Sequence, residues 1–303
     1  MSFPEPPLPF PSSSSGLPGK LILDFDGTIT ECDTIGNIGK AALAWQDCDE
    51  DVRQGLTAQW EDVVSSYFQD LAAYDASQPP QEQRRTVEHE LAYLRGRRAV
   101  EQASLARVAE LGLFRGPSGP TRLFEAGQRD RIAGTTTLRP GFSEWIEALQ
   151  QSAQPVPSLH VVSVNFSVSY IKGVLQPWLY AFSSVTANEL QPDGSISRDS
   201  SLAIPTAHDA HTAWTTCEDK AIATSYLSTQ IPGSVKAYFG DSTTDIECLM
   251  RHGGYVLDSD GQGTLLSTLR RLGYAVPHTS DSGASLAEKR ICWARDFHEV
   301  PQV

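Results

Sequence analysis

Apolar positions along this chain fall into two alternating patterns. Leu21-Ile22-Leu23 and the mostly apolar run 235–239 are short, which is typical of strands buried on both faces of a sheet. In Phe142–Gln150 the apolar residues recur every three or four positions and predict an amphipathic helix. Strands that alternate with helices favour an α/β fold with a doubly wound parallel sheet.

The second half of the chain continues this alternation. Pro192-Asp193-Gly194 separates two strand-like runs, 185–190 and 195–198, and predicts a hairpin because proline presets one φ and glycine accepts a positive one. The other predicted elements are strands at 159–164, 235–239 and 255–257 and helices at 142–150, 167–175, 218–228, 245–251 and 263–272.

A long segment with few strand signals interrupts the pattern. Residues 36–110 have helical spacing, Pro79-Pro80 breaks it, and 115–139 is punctuated by Gly and Pro, so a connection with a short helix is expected there. We divide the chain into a disordered leader at 1–19, an α/β core at 20–33 and 139–275, an inserted α-helical cap at 34–138, and a C-terminal extension at 276–303.

Composition narrows the classes of partner. The net charge of −13 argues against nucleic acid, whose phosphate backbone requires a basic surface. No uncharged run approaches the ~20 residues of a membrane span. The leader is rich in Pro and Ser and lacks a basic start and an apolar signal core. The five cysteines form no CxxC pair, and reduced thiols in a cytoplasmic protein are expected.

Two aspartates end the first predicted strand. Asp24 and Asp26 are followed by Gly27-Thr28, at the carboxyl end of a strand, where α/β enzymes hold their ligands. Such a pair binds a hard cation, and a carboxylate can attack an electrophile. Burying two carboxylates with neither cation nor proton is costly, so this pair predicts a reactive site.

Three further polar segments follow predicted strands or open predicted helices. They are Ser163 within 161–165, Lys220 within 217–220, and Gly240–Asp245. Together with 24–28, and in the same order, these segments resemble the four motifs of the haloacid dehalogenase-like (HAD) hydrolase superfamily. The resemblance extends over residues 20–272 and implies a Rossmann-like core.

This resemblance implies a role for each motif residue. Asp24 corresponds to a nucleophile that forms an aspartyl-phosphate, and Asp26 to the general acid/base. The implied cofactor is Mg²⁺, held by the Asp24 side chain, the Asp26 carbonyl and Asp241. Ser163 and Lys220 correspond to the phosphate-binding residues.

Two neighbouring residues have less specific signals. Asp245 matches the second acidic position of the fourth motif and is expected at the metal site, although an aspartate at a helix start also acts as a cap. Asn165 follows Ser163 by two residues and is a candidate contact to phosphate or substrate.

The cap between the first and second motifs resembles that of the phosphoserine-phosphatase-like branch, in which closure excludes water. Residues 28–34 and 240–249 look like plant and fungal members, including thiamine monophosphate phosphatases. The implied function is hydrolysis of a small phosphorylated metabolite. One alternative is an enzyme acting on a prenyl phosphate or diphosphate, and another is a catalytically silent HAD-fold binding protein. Asp26 disfavours a true dehalogenase. The sequence carries no signal for oligomeric state.

Cap side chains are expected to decide which metabolite fits, and each has a structural alternative. Glu31 is a candidate for binding a substrate amine. Three arginines either meet an anionic substrate or form a solvated face: Arg95, Arg97 and Arg98. Five aromatic residues either line a substrate pocket or fill the interior of the cap: Trp45, Trp60, Tyr67, Phe68 and Tyr74. Two histidines are expected in an exposed loop: His208 and His211.

Overall fold

The computed structural model describes residues 19–152, 155–199, 201, 203–205, 212–281 and 291–301. The leader up to residue 18 and both histidines of the predicted loop, His208 and His211, lie outside the described residues. Within these ranges no helix combines the length and apolar character needed to cross a membrane.

Eight strands are described, and six of them form one parallel sheet in the order β3-β2-β1-β6-β7-β8. The remaining two, β4 and β5, form the antiparallel hairpin predicted around Asp193. The strands are β1 (Lys20–Leu23), β2 (Ser158–Val162), β3 (Phe182–Thr186), β4 (Asn188–Leu190), β5 (Ile196–Arg198), β6 (Val235–Gly240), β7 (Gly254–Leu257) and β8 (Ile291–Ala294).

Ten α-helices lie in the described part of the chain, and the first five lie between β1 and β2. They are α1 (Ile35–Ala44), α2 (Glu50–Ser77), α3 (Val87–Gly96), α4 (Arg98–Leu111), α5 (Gly119–Ile132), α6 (Phe142–Ser152), α7 (Val168–Val174), α8 (Cys217–Gln230), α9 (Ile246–His252) and α10 (Thr264–Arg271). This arrangement confirms a doubly wound parallel sheet with an inserted helical segment.

The central strand β1 alternates between two hydrophobic clusters. Leu21 and Leu23 belong to one cluster, and Ile22 belongs to the other. From β1 the chain builds β2 and β3 on one side and then returns to β6 on the other. The strand order therefore reverses beside β1, and a crevice at the carboxyl ends of β1 and β6 is where such sheets bind ligands.

Two parts of the sequence prediction are wrong. Residues 119–132 form a helix of 14 residues, longer than the short helix expected within a connection, since Gly119 and Pro120 occupy its first turn, where they are tolerated. Strand β8 pairs with β7 in the main sheet, so the core continues beyond residue 275 into the predicted extension. That pairing joins Gly254 to Ile291, a partner that local sequence does not reveal.

Candidate active site

The motif residues converge at the carboxyl edge of the sheet. The backbone N–H of Asp24 donates to the Phe239 carbonyl at 2.9 Å, which places the end of β1 beside the end of β6, where Asp241 follows. Ser163 follows β2, and Lys220 lies in the first turn of α8. Segments far apart in sequence thus form one site.

Lys220 is fully buried and links two carboxylates. Its Nζ lies 2.9 Å from Asp24 Oδ2 and 2.8 Å from Asp245 Oδ1. Burial lowers the pKa of Lys220, but the charges of Asp24 and Asp245 outweigh it, and the net direction is upward. Lys220 therefore keeps its positive charge beside Asp24.

Around Lys220 three carboxylates face a single positive charge. Asp24, Asp241 and Asp245 each have an oxygen within 4.8 Å of the others, and Asp24 Oδ1 is buried without a hydrogen-bond partner. Burial and repulsion from Asp245 raise the pKa of Asp24 well above its usual range and that of Asp241 to about 7. A hard divalent cation with oxygen ligands would relieve this repulsion, so the residues present fit Mg²⁺.

Asp245 already has a full set of hydrogen bonds. Its Oδ1 accepts from Lys220 and, at 2.6 Å, from the Tyr238 hydroxyl. Its Oδ2 accepts from the backbone N–H groups of Asp241 and Ser242 and from the Ser242 hydroxyl. These contacts orient Lys220 and the fourth motif, and direct metal ligation by Asp245 stays a prediction.

The loop after Asp24 is shaped to accommodate Asp241. Gly27 has φ +70°, and a Cβ there would lie 2.1 Å from Asp241 Oδ2. The Thr28 hydroxyl donates to Asp241 Oδ1 at 2.8 Å. The buried guanidinium of Arg139 donates to the carbonyls of Gly27 and Thr28. Sequence reasoning missed Arg139, for which the only signal was its place at the return from cap to core.

Asp26 is held separately from the three clustered carboxylates. Its Oδ1 accepts from the Thr34 N–H at 2.9 Å and the Thr34 hydroxyl at 2.7 Å, and its Oδ2 accepts from the Asn165 amide at 2.7 Å. Burial and the nearby charge of Asp33 raise its pKa to about 6. A carboxyl group with this pKa can both donate and accept a proton near neutral pH.

Ser163 and Asn165 are both buried, but their contacts differ. The Ser163 hydroxyl accepts from the Asn165 N–H at 3.1 Å and keeps its own proton for another acceptor. Both donors of the Asn165 amide are occupied, by Asp26 and by Thr34. Asn165 therefore orients the acid/base candidate, and no described contact supports the predicted phosphate binding through its amide.

A cavity of about 500 Å³ lies between the cap and the core. Val164 and Phe166, which flank Asn165 in sequence, line the core side of this cavity. Asp33, which precedes Thr34, also lines it. Thr34 and Asn165, which hydrogen-bond to Asp26, are therefore each next in sequence to residues that line the cavity. Trp60, Tyr67 and Phe68 line it, whereas Trp45 and Tyr74 are not among its lining residues. Glu31 is exposed and also absent from the lining.

The three cap arginines follow neither prediction. Arg95 makes a bidentate ion pair with the buried Glu247 of α9, at 2.9 and 2.7 Å. Arg98 donates to Asp219 of α8 at 2.9 Å. Arg97 stays within the cap, where it contacts Tyr93 and Asp75. Arg95 and Arg98 therefore connect the cap to the core through ion pairs with carboxylates that are distant in sequence.

Comparisons with known proteins report similarity in structure alone. No protein-family model matches the chain, and no curated protein matches its sequence. A solved phosphoserine phosphohydrolase-like protein from Francisella tularensis subsp. tularensis SCHU S4 has 14% identity and a TM-score of 0.50, over 93% of this chain and 97% of that chain. At this level of identity the likeness shows the fold.

Two further solved structures are similar over nearly their whole length. A phospho-aspartyl intermediate analogue of phosphoserine phosphatase has 16% identity and a TM-score of 0.45, over 93% of this chain and 97% of that chain. A haloacid dehalogenase-like family hydrolase from Streptococcus pneumoniae has 12% identity and a TM-score of 0.37, over 93% and 96%. Neither bears on the predicted likeness to thiamine monophosphate phosphatases.

Proposed function

The chain has the fold of the HAD hydrolases, with its cap placed as in the phosphoserine-phosphatase-like branch, and on that premise we propose that it is a Mg²⁺-dependent phosphatase acting on a small phosphomonoester. The observation that carries this proposal is the environment of Asp24. One of its oxygens contacts Lys220 at 2.9 Å, and the other is buried without a partner. A carboxylate in this state has an electron pair available for attack.

The first chemical step transfers the phosphoryl group to Asp24. A carboxylate oxygen of Asp24 forms a bond to phosphorus, the ester P–O bond breaks, and Asp26 gives its proton to the leaving alkoxide. In the second step water attacks the aspartyl-phosphate, Asp26 takes the proton from that water, and Asp24 leaves as a carboxylate. Asp26 is positioned for both proton transfers by Thr34 and Asn165.

Negative charge on the phosphoryl group is stabilised by positive groups and by a neutral hydrogen-bond donor. Lys220 remains protonated and lies against Asp24, where negative charge builds up on the phosphoryl oxygens during transfer. The Ser163 hydroxyl supplies a neutral donor to the phosphate. The carboxylates of Asp24 and Asp241 and the carbonyl of Asp26 would hold Mg²⁺, which would supply the remaining positive charge.

This proposal is tested with p-nitrophenyl phosphate as substrate. We expect turnover with Mg²⁺, loss of turnover with EDTA, and a fall of at least about a thousandfold for Asp24→Asn because the nucleophile is removed. Asp26→Asn should give a burst of p-nitrophenol, since this leaving group needs no proton while hydrolysis of the aspartyl-phosphate still needs a base. Mass spectrometry of that variant should show a phosphorylated protein.

A matched control is Asp62→Asn, because Asp62 is an exposed carboxylate on α2 away from the cavity lining. It should keep the wild-type rate. Activity that survives EDTA, or that survives Asp24→Asn, contradicts the proposal. A well-folded protein with no turnover and no trapped phosphate on Asp24 would instead favour the silent binding protein.

A second candidate substrate is a prenyl phosphate or diphosphate. The aromatic and aliphatic side chains of the cavity favour it, because an isoprenoid chain would bury apolar area against them. Product analysis after incubation with farnesyl phosphate and diphosphate decides between these substrates. We also infer a cytoplasmic location, because the five cysteines form no disulfide with one another.

A further inference from the structure

Arg139 is a buried cation that the proposed chemistry does not use. It lies at the return from cap to core. Its Nε donates to the Thr28 carbonyl at 3.1 Å, its Nη2 to the Gly27 carbonyl, and its Nη1 to the Arg295 carbonyl at 2.9 Å. Burial lowers the pKa of this group and outweighs the charges of nearby acids such as Asp241, which raise it. Its described side-chain hydrogen bonds all go to backbone carbonyls, so Arg139 acts on the path of the chain.

The carbonyls of Gly27 and Thr28 belong to the loop that surrounds Asp241. The Thr28 hydroxyl donates to Asp241 Oδ1 at 2.8 Å, and a Cβ at Gly27 would lie 2.1 Å from Asp241 Oδ2. The Asp26 carbonyl, which is a proposed Mg²⁺ ligand, lies one peptide unit before the Gly27 carbonyl. This loop contacts both Arg139 and Asp241, and its position therefore affects two of the proposed ligands.

The third carbonyl belongs to the segment that follows β8. The Phe297 N–H donates to the Pro140 carbonyl at 3.0 Å, and the Phe297 ring packs against Phe142 and Trp145 with centroids 5.2 Å apart in each pair. This segment is thus fixed to the start of α6, and it lies beyond the part of the chain that resembles the ordered motifs. Arg139 connects it to the loop of the metal site.

The three acceptors match the geometry of a guanidinium. Its donors lie in a rigid planar fork, so Nε and Nη2 bind two consecutive carbonyls while Nη1 points to a third. A lysine ammonium carries the same charge but is a point donor that does not span this set. Because Mg²⁺ accepts little deviation from octahedral geometry, rigid support behind its ligands strengthens its binding.

We propose that Arg139 is a positioning residue for the metal site, an inference that rests on the proposed Mg²⁺-dependent function. Its guanidinium holds the carbonyls of Gly27 and Thr28 against the segment after β8. This loop in turn fixes the Asp26 carbonyl and the Asp241 carboxylate relative to each other. When Arg139 is replaced, the loop relaxes, the ligands lose their alignment, and Mg²⁺ binds more weakly.

Binding of Mn²⁺, a paramagnetic substitute for Mg²⁺, tests this proposal without turnover. Electron paramagnetic resonance of the free ion gives Kd for the full-length protein with no substrate present. We expect Arg139→Met to raise Kd about tenfold, as replacement of a residue behind metal ligands commonly does. Arg139→Lys keeps the charge without the fork and should raise Kd at least about threefold.

Steady-state kinetics separates alignment of the cation ligands from reactivity. With p-nitrophenyl phosphate, the Mg²⁺ concentration for half-maximal rate should rise in Arg139→Met by the factor seen in Kd. The value of kcat at saturating Mg²⁺ should change less than about threefold, because the ligands are still present. A loss of kcat with an unchanged Mg²⁺ requirement would overturn the proposal.

Arg53→Met is the matched control. Arg53 also donates to three main-chain carbonyls, but all three lie within the cap, at Leu43 (2.8 Å), Gln46 (3.3 Å) and Cys48 (3.2 Å). This change should lower the urea midpoint of unfolding, as Arg139→Met does, and keep the wild-type Kd for Mn²⁺. An equal rise of Kd in both variants would assign the effect to general destabilisation and contradict the proposal.

A double-mutant cycle traces the route and stays informative if Arg139→Met does not fold. Thr28→Val removes the hydroxyl that donates to Asp241 and should raise Kd by itself. Combined with Arg139→Lys, it should raise Kd by less than the product of the two single factors, because both changes act through one loop. A full product, in protein whose circular dichroism matches the wild type, is the result that excludes this route and the proposal with it.

These outcomes are distinct from failure of the phosphatase proposal. Turnover and Mn²⁺ binding by the wild type test the phosphatase, whereas the ratio of Kd between variant and wild type tests the role of Arg139. A raised ratio without any turnover supports the role of Arg139 alone. A wild type that binds Mn²⁺, with an unchanged Kd in Arg139→Met and Arg139→Lys, overturns this inference and leaves the phosphatase proposal standing. A wild type that binds no Mn²⁺ contradicts both.

Discussion

Burial decides what individual polar residues of this protein can do. Asp26 and Glu31 are both acids near the end of β1, but Asp26 is enclosed by Thr34 and Asn165, whereas Glu31 is exposed. Burial and the charge of Asp33 raise the pKa of Asp26 to about 6, against the hydrogen bonds from Asn165 and Thr34, which lower it. A carboxyl group with this pKa can donate and accept a proton near neutral pH. The same principle applies to a buried histidine away from the site.

His160 lies fully buried in β2, with its ring nitrogens 2.8 Å from Ser184 Oγ and 3.0 Å from Ser158 Oγ. Burial lowers its pKa from 6.5 to about 4. Between these values the unfolded chain binds a proton that the folded protein does not, so stability falls as pH falls through this window, by up to roughly 3 kcal/mol at ~1.4 kcal/mol per unit.

Urea unfolding of wild type and His160→Gln from pH 8 to pH 4 measures this effect. The wild type should lose stability relative to the variant as the pH decreases, because glutamine does not titrate. His89→Gln, at an exposed position of α3, should follow the wild-type curve. Parallel curves for His160→Gln and wild type would contradict the assignment.

At the scale of elements, close packing of two helices positions the second motif. Gly127 of α5 and Gly173 of α7 lie where these helices cross, and Cβ atoms there would lie 2.4 Å from the Tyr170 carbonyl oxygen and 2.1 Å from the Phe124 carbonyl oxygen. Helix α7 begins just after Ser167, whose side chain accepts from the Tyr170 N–H. The helix contact therefore supports the loop that carries Ser163.

Gly173→Ala should lower the free energy of unfolding by about 2 kcal/mol or more, because the added methyl group pushes two backbones apart. Gly55→Ala is the matched control, since Gly55 lies in α2 with open space around its Cβ position, and this change should stabilise the protein by roughly 0.5–1 kcal/mol. Thermal or denaturant unfolding measures both. Equal effects of the two substitutions would show that the crossing tolerates a larger side chain.

For the molecule as a whole, ion pairs between cap and core connect the elements that line the cavity to the candidate catalytic residues. Arg98 contacts Asp219 and Thr216, which cap the first turn of α8, and Lys220 follows directly in that turn. Arg95 pairs with the buried Glu247 of α9. The position of the cap is thereby linked to the lysine that contacts Asp24.

Arg98→Met should lower kcat/KM by about tenfold, because loss of a charge-assisted hydrogen bond worth ~1.5 kcal/mol frees the first turn of α8. Arg98→Lys should restore part of this loss. Arg107→Met is the control, since Arg107 lies on the same helix but pairs with Asp70 inside the cap. Steady-state kinetics with p-nitrophenyl phosphate compares them, and a rate loss as large in Arg107→Met would assign the effect to cap stability alone.

Much of the fold followed from local patterns, and most of the candidate site residues followed from the resemblance of four short segments to ordered motifs. Apolar runs located β1, β2, β6 and β7, and spacing of apolar residues located nearly all the helices. The resemblance to the ordered HAD motifs implied that Asp24, Ser163, Lys220 and Asp241 meet, and for Asp24, Ser163 and Asp241 this agrees with the shared carboxyl edge of parallel strands. These features depend on near neighbours in sequence, which is why they could be read from it.

Contacts between distant segments were decided only by the tertiary structure. Strand β8 and helix α5 pack against partners that are far away in sequence. The ion pair of Arg98 with Asp219 and the hydrogen bond from the Asn165 amide to Asp26 also join distant segments. The sequence by itself determined which chemical groups this protein brings to the end of β1. Packing of cap against core decided which acids face the cavity, because burial and charge environment are properties of the assembled chain.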